Sequence, residues 1–240
     1  MKMNLVFPVL NEEKRIRKGI DSTIKYLEEQ NLTELCMITI VDNGSTDNTL
    51  EIIRNYEEKY PFIKGLTLKE RGFGLAFRQA VYINTCPLIG YLDVDLSTDI
   101  SYLKSVLDIF ENDKNIHIVK GNRLMKQADV QGRKLLRELT SRGLDFMIRK
   151  VFAVKVSDTM EGFQFFRKET IDLLVRLSGQ DTGWFYCAEL LIRAEKTGNK
   201  IYEMPVKWVD DYDTKVNVFK TIQNYLKNIY RLKKALKGEK

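Results

Sequence analysis

One histidine (His117), three cysteines and four prolines are all that 240 residues hold of these three types. A lone histidine removes His-based metal centres and Ser-His-Asp triads from consideration. Cys36, Cys86 and Cys187 are unevenly spaced and make no Cys-X-X-Cys pair, which speaks against a disulfide framework or a thiolate zinc site. Such cysteine usage suits a reducing compartment. No apolar stretch approaches the roughly 20 residues of a membrane-spanning helix. Residues 5–10 are too short a run for a signal peptide, contain Pro8, and are followed at once by charge. The chain has no Walker phosphate loop and opens no helix with Gly-X-Gly-X-X-Gly, which counts against an ATPase or a dehydrogenase. No Pro-, Gly- or Ser-rich linker and no internal repeat divides it, so one domain is expected.

What is present is ordinary globular material, 44% hydrophobic and 30% charged, with 39 basic against 33 acidic residues. The resulting net charge of +6 suits anionic partners: nucleotides, nucleic acid or an acidic membrane surface. Nucleic acid fits least well, because the aromatic residues fall in core phases rather than interleaved with Lys and Arg.

Apolar runs at residues 3–7, 37–41, 63–68 and 88–94 read as strands. Helical periodicity separates them, over residues 11–29, after Asp47, over 75–83 and over 100–110. Strands apolar throughout, alternating with helices, predict an α/β fold with a mostly parallel sheet covered on both faces. Ligands of such sheets sit outside the carboxyl ends of the strands. The second half reads as strands at 116–119, 163–166 and 201–206 and helices at 134–148, 171–177 and 185–196, with Leu135, Leu139 and Phe146 in phase on the first helix. From residue 218 to 240, Phe219, Ile222, Leu226, Ile229, Leu232 and Leu236 form an apolar stripe among lysines that include Lys220 and Lys240. That stripe suits either packing on the domain or a second subunit, or an interfacial helix on anionic lipid.

The most informative chemistry is Asp93-Val94-Asp95. In a strand both carboxylates share a face, and two like charges so close repel unless a cation or a proton intervenes. A divalent ion bridging carboxylates and substrate phosphates answers this; loop-capping carboxylates would look the same. Asp42-Asn43-Gly44-Ser45 sets a carboxylate at a strand end, as a ligand contact or as an ordinary turn. Arg71-Gly72-Phe73-Gly74 offers a cation beside glycines that permit close backbone approach. Arg123, Arg133, Arg137 and Arg142 cluster around one helix, where Arg137 and Ser141, four apart, are placed to grip a phosphate or to serve as surface polarity. Asp158, five residues before Phe163, is a candidate base or a loop cap.

Together, and in order over residues 3–216, these segments resemble the family 2 glycosyltransferases of the GT-A fold, particularly the branch that makes polyprenyl-phosphate sugars such as dolichyl-phosphate mannose and glucose. The resembling pieces include Phe7 with Pro8, Asn11 and Glu12, then Asp42 to Thr49, Arg71 to Gly74, Asp93 to Leu96, and Gly121 to Arg123. They continue with Arg137 to Ser141, Asp158 to Phe163, Ala188 to Leu191 and Glu203 to Trp208. The resemblance implies a Rossmann-like domain over residues 1–215, with a nucleotide-sugar half near 1–97, an acceptor half near 98–215, and a basic amphipathic helix over 216–240. It implies inverting transfer of a hexose from a UDP- or GDP-sugar to polyprenyl or dolichyl phosphate, or, on the same fold, to a polysaccharide or other soluble hydroxyl. Pro8, Asn11, Glu12, Asp42, Gly44, Arg71, Gly72 and Asp93 would bind the nucleotide-sugar. Asp95, with Asp93, would hold Mg²⁺ or Mn²⁺; Arg123, Arg137 and Ser141 would take the acceptor phosphate; Asp158 and Asp95 would be catalytic. The expected setting is cytoplasmic and peripheral, on the cytosolic membrane face through the C-terminal helix, with no nucleic acid and with an oligomer possible. The chain departs from that branch at Leu75, Ser97, Met160-Glu161 and Cys187, where Gly, Gln, Gln-Cys or Gln-Thr, and Asp are usual.

Overall fold

The computed structural model describes residues 1–133, 135–179, 181–210 and 218–238. Lys134, the expected boundary at residues 215 and 216, and Lys240 lie outside the described residues, as do the side chains of Phe219 and Lys220. The first half alternates β1 (Met3–Val9), α1 (Ile16–Glu29), β2 (Cys36–Asp42), α2 (Thr49–Lys59), β3 (Ile63–Thr67), α3 (Phe73–Ile83), β4 (Leu88–Leu92) and α4 (Tyr102–Asn112). The second half holds β5 (Ile116–Asn122), β6 (Asp129–Gln131), α5 (Leu135–Phe152), β7 (Phe163–Arg167), α6 (Lys168–Leu177) and α7 (Phe185–Lys196). It closes with β8 (Lys200–Pro205), β9 (Lys207–Val209) and α8 (Val218–Gly238).

Seven strands form one sheet in the order β3-β2-β1-β4-β7-β5-β8. β7 runs antiparallel to β4 and β5, and the remaining pairs are parallel. Alternation along β1 explains the layers: Met3, Leu5, Phe7 and Val9 enter one core with Ile16 and Ile20 of α1, whereas Val6 enters the other. That second core gathers Phe77 of α3, Leu144 of α5, Leu174 of α6, Phe185 of α7 and Tyr225 of α8. Both faces are covered, as strands apolar throughout require.

Four local departures from the sequence expectation matter for function. First, α1 starts at Ile16 rather than Asn11, because Asn11 is left-handed (φ 55°) and residues 11–15 form a turn. Second, β4 ends at Leu92, so Asp93 and Asp95 do not lie in a strand. Its pairing with β1 stops at Tyr91 and with β7 at Leu92, and a chain without partners turns. Third, the phase of α5 is set by Ser141, Leu144, Asp145, Ile148 and Phe152, which are buried, whereas Leu135, Leu139 and Phe146 are 82%, 69% and 63% exposed. Fourth, α8 packs on the domain: Tyr225, Ile229 and Leu232 are buried in the core, and Arg231 pairs with the fully buried Glu189 of α7. Of the apolar stripe of the tail, Ile229 and Leu232 are buried in the domain, Ile222 and Leu236 pack partly against it, and Leu226 is 43% exposed. No helix among the described residues is long and apolar enough to cross a membrane.

Candidate active site

The carboxyl ends of β1, β2 and β4 open on a cavity of about 730 Å³, within the range usual for small-ligand sites. Pro8, Glu12, Asn43, Arg71, Gly72, Asp93 and Asp95 line it from the first half, and Arg123, Arg137, Ser141, Glu161, Trp184 and Trp208 from the second. Ile222 and Tyr225 of α8 complete the wall.

Asp93 and Asp95 sit in the turn after β4, where the Leu96 N–H donates to the Asp93 carbonyl at 3.0 Å and Leu96 is left-handed (φ 52°). Asp95 is exposed, and one of its oxygens accepts from Ser97 N–H (2.9 Å) and Ser97 O–H (2.7 Å). Asp93 is half-buried, and among the described residues no hydrogen-bond donor reaches its carboxylate. Burial first, then the charges of Asp95 and Glu161, raise its pKa well above the ordinary carboxylate value. Its place exists because residue 162 is glycine: a Cβ there would lie 2.0 Å from Asp93 Oδ2. Among the described residues no three His, Cys, Asp or Glu side chains converge as a metal cage. Two carboxylates instead suit an ion whose remaining ligands come from a diphosphate and water, as Mg²⁺ prefers.

Of the residues expected to bind a nucleotide-sugar, Pro8, Glu12, Arg71, Gly72 and Asp93 line the cavity, and Asn11, Asp42 and Gly44 are not among its lining residues. Asp42 is buried and accepts from the Ser45 N–H at 3.0 Å. Asn11 donates its N–H to Ser45 Oγ (2.9 Å) and accepts from Thr46 N–H (2.8 Å), tying the turn after β1 to the turn after β2. Gly44 holds that turn with φ 75°. These three shape the wall, and the neighbouring Asn43, whose Oδ1 is buried without a protein partner, faces the cavity. On the far side of Arg71, Phe73 stacks on Trp184 with ring centroids 4.0 Å apart. Glycines at 72 and 74 let the Thr182–Gly183 backbone cross α3, since a Cβ on Gly72 would lie 2.4 Å from the Thr182 carbonyl oxygen.

The second half of the cavity is a set of arginines, each matched to a carboxylate. Arg123 donates from Nε and Nη2 to the two oxygens of Asp158 (2.9 and 2.7 Å), and its backbone N–H adds a bond of 2.7 Å. Arg137 Nη1 reaches both oxygens of Asp210 at 2.6 and 2.9 Å. Arg133 pairs with Glu138 at 2.8 Å and donates to Ser141 Oγ at 2.6 Å. The guanidinium carbons of Arg123 and Arg133 lie 5.3 and 5.8 Å from the ring centre of Trp208, within reach of cation–π attraction. β9 carries Trp208 to the acidic turn, where the Val209 N–H donates to the Ser97 carbonyl at 2.8 Å. Glu161 is buried beside them, accepting from Thr98 O–H and Phe163 N–H, each at 2.6 Å.

Asp158 differs most from expectation. It does not line the cavity, and it is left-handed (φ 48°) in a loop whose amides at 155–158 donate to Glu195, Glu203 and Asp145. Burial by itself would raise its pKa, but the charge and hydrogen bonds of Arg123 outweigh that and hold it at about 2. A carboxylate so firmly ionised and so fully bonded is a poor proton acceptor; the geometry makes it the anchor of Arg123. Trp208, Arg133 and Asn43 are the residues sequence reasoning left without a role. Trp208 and Asn43 stand inside the resembling segments and Arg133 in the arginine cluster, but only the bridge between β9 and the acidic turn reveals where Trp208 meets Arg133.

A mostly parallel sheet opening on paired aspartates and a neighbouring arginine cluster is the architecture of a GT-A glycosyltransferase. Residues 5–174 match the sequence model of Glycosyl transferase family 2, and the chain belongs to that family. It is related to dolichyl-phosphate sugar transferases. It is 31% identical over 223 residues to the dolichyl-phosphate beta-glucosyltransferase ALG5A of Trichomonas vaginalis, covering 90% of this chain and 68% of the relative. It is 28% identical over 241 residues to the dolichyl-phosphate beta-glucosyltransferase of Dictyostelium discoideum, covering 96% and 73%. Among solved structures it resembles glucosyl-3-phosphoglycerate synthase from Mycobacterium tuberculosis bound to UDP, with a TM-score of 0.66, 19% identity and coverage of 95% of this chain and 80% of that one. The same synthase in complex with Mn²⁺, UDP-glucose and phosphoglyceric acid gives a TM-score of 0.64 at 18% identity, covering 92% and 74%. At these identities the structural likeness speaks for the fold.

Proposed function

We propose that this nucleotide-sugar-dependent transferase moves a hexose, with inversion, onto the phosphate of a polyprenyl or dolichyl lipid. The observation that carries the reading is the contrast between its two candidate catalytic regions. The acceptor side offers three arginines and Ser141 but holds its expected base, Asp158, ionised and occupied by Arg123. A hydroxyl acceptor needs a base to remove its proton, whereas a phosphate monoester is already ionised near neutral pH. Such a site fits the phosphate. The names of the two curated relatives point the same way.

On this reading Arg71, Glu12 and Asn43 meet the nucleotide, and Arg137 with Ser141 and Arg123 hold the acceptor phosphate beside the sugar. Orientation of the two reactants then lowers the barrier, because a bimolecular attack becomes an in-line step between bound groups. Asp95 and Asp93 would hold Mg²⁺ or Mn²⁺, and the unpartnered, raised-pKa carboxylate of Asp93 fits a cation neighbour. Bound there, the ion supplies charge neutralisation of the leaving nucleoside diphosphate. The stacked Phe73 and Trp184 close the rim and exclude water from the sugar. The lipid acceptor makes the protein a peripheral one on the cytosolic membrane face, and the donor half near residues 1–97 and acceptor half near 98–215 are the working division of the domain.

A screen of UDP- and GDP-hexoses with undecaprenyl or dolichyl phosphate, read as lipid-linked product, tests the proposal. Formation of that product supports it. Donor turnover only with soluble hydroxyl acceptors rejects it.

A further inference from the structure

We propose that Glu161 is a positioning residue, one that holds the turn of Asp93 and Asp95 in a fixed relation to the arginines of the acceptor half. The inference deepens the reading of a metal-bound donor and rests on it. Glu161 is 1% exposed and lies against the cavity, at a position where the chain departs from the branch it resembles. Its backbone belongs to the acceptor side. The Glu161 N–H donates to the Asp158 carbonyl at 3.2 Å, Gln164 Nε2 donates to the Glu161 carbonyl at 3.0 Å, and Asp158 in turn grips Arg123. The carboxylate reaches the other way. Its Oε1 accepts from the hydroxyl of Thr98, just past the acidic turn, and its Oε2 accepts from the Phe163 N–H, each at 2.6 Å.

Topology gives this tie its importance. The pairing of β4 with β7 ends at Leu92 and Phe163, so from Asp93 onward the chain needs other supports. Backbone bonds from β9 brace one side, with the Val209 N–H on the Ser97 carbonyl (2.8 Å) and the Asp99 N–H on the Lys207 carbonyl (3.2 Å). The bond between Thr98 and Glu161 braces another, and β5 closes behind it: a Cβ on Gly121 would lie 2.9 Å from Glu161 Oε2. Burial works against a charge at Glu161, whereas Arg123, Lys120 and the Thr98 hydroxyl favour it. Hydrogen bonds to a carboxylate are shorter and stronger than neutral ones, which suits a part that fixes a distance. Groups that orient metal-bearing side chains from behind govern metal affinity by roughly 10- to 100-fold.

Calorimetry of the full-length protein with Mn²⁺ and UDP, and with Mn²⁺ and GDP, tests the role without any acceptor. Glu161→Ala and Thr98→Val cut the same tie, and each should weaken the metal–nucleotide complex that wild type forms by about tenfold or more. Together they should be no worse than Glu161→Ala alone, because the two side chains are halves of one contact. Glu161→Gln can keep both bonds, its amide oxygen accepting from Phe163 and its NH₂ donating to Thr98 Oγ1, and should bind about as tightly as wild type. In EDTA the nucleotide alone should bind all variants alike, which a general loss of structure would not allow. Wild-type affinity in both Glu161→Ala and Thr98→Val, or a loss in Glu161→Gln as large as in Glu161→Ala, would overturn the positioning role and leave the donor reading standing. Should wild type bind neither nucleotide with Mn²⁺, the metal-bound donor reading falls and this role falls with it.

Discussion

Arg123, on the cavity wall, and the buried Asp158 face each other as a two-pronged ion pair, 2.9 and 2.7 Å across its two bonds. Removing one partner of such a pair strands the other charge in a low-dielectric interior. Asp158→Asn is therefore expected to cost about 3–5 kcal/mol of stability in denaturant titrations at neutral pH. It should also raise the KM for the lipid acceptor more than it lowers kcat. A catalytic base would behave the other way, with kcat falling and acquiring a new pH dependence.

The pair also predicts acid sensitivity. Folding lowers the Asp158 pKa from 3.8 to about 2, so the folded state binds this proton less readily than the unfolded chain. Its contribution, about 2 kcal/mol, is full above the ordinary value and is lost as pH falls from about 4 through 2. Denaturation of wild type and Asp158→Asn across that window should show their difference shrinking with acid. A constant difference would contradict the assignment.

Asp93 carries the opposite sign. Its folded pKa is raised, so its contribution is present at low pH and turns unfavourable as pH rises past the ordinary carboxylate value. In EDTA at pH 8, Asp93→Asn should melt at a higher temperature than wild type, and added Mn²⁺ with a nucleoside diphosphate should remove the advantage. Asp95→Ala should abolish metal-dependent donor turnover while leaving the melt little changed, since that side chain is exposed and, among the described residues, bonded only to Ser97.

How much of this could be read from residues alone depends on range. The alternation of apolar strands with periodic helices, and the segments from Pro8 to Trp208 in order, were enough for the α/β class and for most lining residues. Asp93 and Asp95 were legible as a pair but not as a turn, because the end of β4 is decided by where β1 and β7 stop pairing. Leu135, Leu139 and Phe146 share a helical phase, yet periodicity does not say which of two apolar faces the domain takes. Asp158 looked free as a base because its partner, Arg123, lies 35 residues away. β6 and β9, three residues each, are too short to leave a pattern, and with them went the place of Trp208.

Gly162→Ala tests the packing around the acidic turn. Its Cβ would lie 2.0 Å from Asp93 Oδ2, so the carboxylate must move. A cost of about 1–3 kcal/mol in stability is expected, together with weakened binding of nucleotide and Mn²⁺ in calorimetry. Unchanged binding would mean that Asp93 does not serve the donor.

Arg137→Gln addresses the acceptor. Loss of a charge-assisted contact worth about 1.5–3 kcal/mol should raise the KM for lipid phosphate by roughly 10- to 150-fold, with donor affinity unchanged. An equal fall in donor affinity would place Arg137 elsewhere in the reaction.

The central claim is that an already ionised phosphate, beside a metal-bound donor, makes a strong base unnecessary. Its most direct test compares polyprenyl phosphate with the corresponding polyprenol as acceptor, each with Mn²⁺ and with EDTA, by following lipid-linked sugar. The account predicts product from the phosphate alone, and only with the metal. Efficient glycosylation of the polyprenol, or product from the phosphate undiminished by EDTA, would contradict it.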